Sequence, residues 1–198
     1  MQTLGLASES KRSDGWLKSL LWPRVENAWD VDYLGQQGMW ICCLIAVVSL
    51  VIALLSGNVI VIAVGILGAL FYWIGGMGVR QANWQAAALV LLVYSLGTLV
   101  NITSGQFPNV FRIIFTFVLI SNVRAAFLAS QWKPMADGED RPTRMSETLA
   151  DRFIDQMPAR LWPVLQIPFI VLGISLLLFT LLFLAFGVVY RLGWLTRG

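Results

Sequence analysis

Apolar and polar positions along this chain separate into blocks rather than alternating. From Tyr33 to Ala136 there are 104 residues without one Asp or Glu, and the only formal charges are Arg80, Arg112, Arg124 and Lys133. Hydrocarbon excludes ions, whereas a soluble fold of this size needs charge on its outer face, so the block predicts a membrane domain.

Five apolar segments of spanning length are expected: residues 39–55, 59–79, 84–103, 107–130 and 164–190. Short turns at Ser56-Gly57-Asn58, Arg80 to Asn83 and Ser104-Gly105-Gln106 make the first four antiparallel neighbours. The fold class expected is all-α, with five transmembrane helices and two cytoplasmic-side interfacial amphipathic helices. The first interfacial helix starts near Ser13 or Asp14 and carries Trp16, Leu17, Leu20 and Leu21 on one face. The second starts near Ser146, places Leu149, Phe153, Met157 and Leu161 at helical spacing, and is stopped by Pro158 and Pro163.

The chain therefore divides into a polar tail (1–38), a four-helix bundle (39–130), a polar loop with a cap helix (131–162), a fifth span (163–191) and a short outer tail (192–198). No cleavable signal peptide is expected, because Asp14, Lys18 and Pro23 interrupt the stretch after Lys11 and Arg12. Orientation follows from Lys and Arg in the connections. With the amino terminus inside, ten basic residues fall on the inner side and two, Arg191 and Arg197, on the outer. Trp40, Trp73, Trp84, Trp132 and Trp162 fall at the inner ends of their segments, as an aromatic belt would. The expected location is the plasma (inner) membrane, multi-pass, with the amino terminus cytoplasmic and the carboxy terminus outside.

Composition narrows the chemistry. Mean hydropathy is +0.73, and only 13% of residues are charged against about 25% in soluble domains. There is no His, and all eleven carboxylates lie in the two polar blocks, so the spans lack the usual proton carriers and metal ligands. The formal charge of +3 is of mixed sign and gives no reason to expect nucleic-acid binding. Cys42 and Cys43 are adjacent in an apolar run, where they read as small hydrophobes. No internal repeat of the kind found in inverted-repeat transporters is evident.

Three groups are candidates for recognition. Glu147, Asp151 and Asp155 stand at i, i+4 and i+8, which on a regular helix aligns three carboxylates, either as a cation or basic-partner site or as a solvated face offset by Arg144 and Arg152. Ser121, Asn122 and Arg124 form a polar cluster in the fourth segment that can anchor a lipid phosphate, a partner helix or an anion, while snorkelling accounts for Arg124 and Arg112 equally. Gly65, Gly68 and Ala69, followed by Gly75, Gly76 and Gly78, are small residues of the kind that line helix contacts. Asn101-Ile102-Thr103 matches a glycosylation pattern but sits almost in the membrane, so it reads as chance.

No catalytic constellation, cofactor or metal is expected from these residues. The reading that fits is a non-catalytic accessory, assembly or scaffold subunit, with other membrane-protein subunits and lipids as partners. The alternatives are a small oligomeric channel or facilitator and, third, a membrane enzyme using the Glu147/Asp151/Asp155 face.

Overall fold

The computed structural model describes residues 22, 23, 25, 28–132 and 152–195; side chains are described within 22–23, 25, 30–132 and 153–187. Among them all regular structure is helical: α1 (Ala28–Leu55), α2 (Val59–Arg80), α3 (Trp84–Thr103), α4 (Val110–Ser130) and α5 (Met157–Leu195), with a π turn over Arg152–Gln156. Among the described residues five helices are long and apolar enough to cross a membrane. The expected interfacial helix near Ser13 lies outside the described residues, as does the expected start of the cap helix at Ser146.

Three asparagines start the spans that follow the turns. Asn58 Oδ1 accepts from the Ile60 amide at 2.9 Å, Asn83 Oδ1 from Ala86 at 2.9 Å and Asn109 Oδ1 from Arg112 at 2.9 Å. Each satisfies an amide that a helix amino terminus would otherwise leave unpaired. The turns close through positive φ at Gly57 (65°), Ala82 (52°) and Gly105 (85°). Only Ala82 adopts this backbone against the preference of a side-chain-bearing residue.

Two helices extend beyond their apolar segments. α1 begins at Ala28 rather than Met39, so its first three turns are of mixed character, carrying Asp30, Asp32, Gln36 and Gln37 beside the buried Val31 and Leu34. At about 1.5 Å per residue its 28 residues span about 42 Å, which exceeds a hydrocarbon core of about 30 Å. α5 corrects the expected break at Pro158 and Pro163, since one helix of 39 residues runs from Met157 through Pro163 and Pro168 into the span. Pro158 falls in the first turn, where a missing N–H costs nothing. Pro163 and Pro168 each free one carbonyl, a defect that membrane helices accommodate through neighbouring helices and local adjustment.

The helices α1 to α4 form a ring in sequence order, closed by α4 against α1, and α5 lies along the groove between α2 and α3. The core is concentrated at the Arg80 end. In α2 the buried residues run from Phe71 to Val79, in α3 they are Ala86, Ala87 and Val90, and in α4 they run from Val118 to Ala126. Towards the other end Val51, Leu55, Ile60, Leu67, Val110 and Phe111 are exposed.

Glycine sets how closely these helices approach. A methyl at Gly38 would stand 2.5 Å from Asn122 Oδ1 and from Val79 Cγ1, so α1 reaches α2 and α4 together only because Gly38 has none. Gly75 and Gly78 play the same part for α5: they lie under the Phe169 and Trp162 rings, at 2.9 and 2.5 Å from an added methyl. Phe169 stacks on Phe71 at 5.0 Å and meets Trp162 edge-on at 5.5 Å. In a bilayer such fitted contacts, rather than exclusion of water, hold helices together.

Candidate functional site

Among the described residues a dense polar arrangement lies where α1, α2 and the π turn before α5 meet, and Arg80 is at its centre. Arg80 ends α2, where a cation is favoured by the helix dipole. Its Nη1 donates to Asp32 Oδ1 at 2.6 Å and to the Asp32 carbonyl at 3.2 Å, while Nε donates to Asp155 Oδ1 at 3.0 Å and Nη2 also pairs with Asp155. The Arg80 side chain is 9% exposed, against 40% for Asp32 and 35% for Asp155. The planar guanidinium fork thus spends both edges on two carboxylates from distant parts of the chain. The result is a clamp joining three elements.

This placement changes the reading of the three carboxylates. Asp155 stands in a π turn, so the α-helical i, i+4 register assumed for Glu147, Asp151 and Asp155 does not run through it. Its oxygen is directed to Arg80. Glu147 and Asp151 lie outside the described residues. Among the described residues no three His, Cys, Asp or Glu side chains come together as a metal site would require.

The Ser121, Asn122 and Arg124 cluster is divided by its own helix. Ser121 and Asn122 are buried, 2% and 3% exposed, and Asn122 Nδ2 donates to the Val118 carbonyl at 2.9 Å while its oxygen lies against Gly38. Arg124, two positions on and therefore about 200° around the helix, leaves that interior. Its Nη1 donates to the Pro23 carbonyl at 3.0 Å, and its guanidinium lies over the Trp22 ring, 4.9 Å from the centroid. Arg124 thereby fastens the segment preceding α1 to α4, with a cation–π contact in addition to the hydrogen bond.

Among the small residues, Gly65 lies against Ala53, where an added methyl would stand 2.2 Å from the Ala53 Cβ. Ala69 packs on the core, but a methyl on Gly68 would meet nothing within 4 Å, so Gly68 makes no close helix contact. Gly35 and Gly38, which sequence reasoning missed, bring α1 against Val79 and Arg80 of α2 and Asn122 of α4. Their Gly-x-x-Gly spacing was the available signal, hidden by assigning residues 1–38 to a polar tail. Cys42 is buried, Cys43 half-buried, and both are free thiols. Asn101 Nδ2 donates to the Gly97 carbonyl at 2.9 Å within α3, so its amide is engaged by its own helix.

Several hydroxyls at membrane depth are similarly engaged. Thr116 donates to the Arg112 carbonyl at 2.8 Å, Ser175 to Val171 at 2.8 Å and Thr98 to Tyr94 at 3.0 Å. What the arrangement offers is an anchored end and a largely uncovered apolar remainder. The most apolar part of α5 is the least covered of the five spans, with 11% of it buried against 22–33% in the others. Comparison with protein-family models, with curated proteins and with solved structures finds no match for this chain.

Proposed function

We propose that this protein is a non-catalytic accessory or assembly subunit of a larger membrane complex, held together at its Arg80 end and offering its spans, α5 above all, to partner helices and lipids. The observation that carries the reading is the far half of α5. Leu178, Phe179, Leu181, Leu182, Phe183 and Phe186 are 49–74% exposed, and at 3.6 residues per turn they spread over more than half of the helix circumference. A row of large aromatic side chains standing clear of its own bundle suits contact with a second protein, because aromatic anchors dominate interface energetics.

The clamp at Arg80 supports the same reading. It fixes α1 and the start of α5 to α2, leaving a rigid base from which α5 projects. The engaged hydroxyls of Thr116 and Ser175 weigh against a polar path through the chain, which a facilitator would need. In this reading the Arg80 end faces the cytoplasm at the inner membrane, following the ten-to-two distribution of basic residues in the connections. The experiment is gentle detergent extraction from the native membrane, with sizing and mass spectrometry of everything that travels with the chain. A defined assembly with other membrane proteins is expected; recovery only as a small homo-oligomer would overturn the reading in favour of a channel or facilitator.

A further inference from the structure

We infer that the groove between α3 and α5 is a built site for one glycerophospholipid of the leaflet at the Arg80 end, with an acyl chain along the groove and the ester carbonyls at its polar mouth. The groove has a volume of about 370 Å³. Its lining is ordered along its length. Asn83, Gln85 and Gln166 lie at the end nearest Arg80 with Trp84 and Trp162, and beyond them come Leu89, Leu92, Ile170 and Ile174.

Three properties identify the occupant. First, the length fits one leaflet. Ile174 lies eight residues past Gln166 at the polar mouth, about 12 Å along the helix, which fits within the about 15 Å of half a bilayer's hydrocarbon. Second, the mouth carries neutral amides. Asn83 uses its oxygen to cap α3, which leaves its Nδ2 hydrogens as donors, and Gln85 and Gln166 add more. Such groups match ester carbonyls, which only accept hydrogen bonds. Arg160 is exposed six residues, or about 9 Å, beyond Gln166 towards the Arg80 end, at the level where a lipid phosphate lies. Third, the wall is fixed. Trp162 is 7% exposed and its ring is seated on Gly78, so this wall is held by the protein's own packing.

The test uses the full chain reconstituted in phosphatidylethanolamine and phosphatidylglycerol vesicles containing a phospholipid with a photoactivatable diazirine in its acyl chain. Peptide mass spectrometry maps the adducts. Adducts at Leu89, Leu92, Ile170 and Ile174 are expected several-fold above those at Val51, Ile60 and Leu67 on the open face of α1 and α2. Leu92→Trp, which fills the groove, should abolish that excess, whereas Leu67→Trp should leave it. Should Leu92→Trp fail to fold, Ala88→Phe narrows the same groove from the α3 side. Even labelling of both faces, as for bulk annular lipid, or an excess that survives filling, would overturn the proposal. This test is independent of whether the chain belongs to a larger complex.

Discussion

The side-chain oxygen of Asn122 occupies the space that a β-carbon on Gly38 would need, 2.5 Å from where that carbon would stand. α4 contributes a buried amide at this point and α1 contributes the absence of a side chain, with Val79 of α2 closing the contact. Three helices therefore share one crossing. Gly38→Val should lower stability in detergent by roughly 1–3 kcal/mol, the usual cost of forcing atoms into a packed interior. Gly68→Ala, which meets nothing within 4 Å, should leave stability unchanged or raise it by up to about 1 kcal/mol, the helix preference of Ala over Gly. Thermal unfolding of the two purified variants compares them directly, and equal midpoints would show that this crossing is not tight.

Arg80 leads to a second expectation. Arg80→Met removes the cation that ties Asp32 and Asp155 to the end of α2. A loss of about 1–3 kcal/mol is expected, short of the cost of a fully buried pair because both carboxylates are partly solvated. Arg80→Lys keeps the charge but not the planar fork that reaches both carboxylates, and should recover only part of that loss. Denaturation of the two variants in one detergent measures this, and a Lys variant as stable as the unaltered chain would contradict the account of a two-sided fork.

Phe169 tests how α5 is attached. It is buried and stacks on Phe71 over Gly75. Phe169→Ala should cost about 3–5 kcal/mol if the cavity stays open, as large-to-small core changes do. Phe179→Ala, on the uncovered part of α5, should leave the isolated chain's stability within about 0.5 kcal/mol. Similar losses from both would mean that α5 packs along its whole length.

Arg124 tests the fastening before α1. Arg124→Gln removes the cation over Trp22, and a small loss of about 0.5–1 kcal/mol is expected. The more sensitive readout is protease cleavage near Trp22 and Pro23, which should quicken in the variant. Unchanged cleavage would show that Arg124 does not hold that segment.

The sequence made the spans legible and the contacts between distant segments illegible, for physical reasons. The bounds of α2 and α3 agree with their apolar segments to within a residue, because Asn58 and Asn83 cap them at turns only a few residues long. α1 was harder to delimit. Its first turns project beyond the apolar segment and carry Asp32 to Arg80, so the end of the apolar run is not the end of the helix. α5 ran through its prolines because neighbouring helices stabilise what an isolated helix in water would not. The clamp was invisible in another way. Arg80 and its partners stand 48 and 75 residues apart, and nothing local to Arg80 distinguishes it from any other basic residue at a membrane surface. Likewise, Ser121, Asn122 and Arg124 are adjacent in sequence, yet helix geometry sends Asn122 and Arg124 to opposite sides.

The measurement that bears most directly on the proposed role is photo-crosslinking from the far half of α5 in the native membrane. A benzophenone side chain is placed at Phe183, which is 57% exposed, and in parallel at buried Phe169. The account predicts that Phe183 captures a different membrane protein at a discrete mass, while Phe169 captures only this chain. Lipid adducts alone at Phe183, with no second protein, would contradict it.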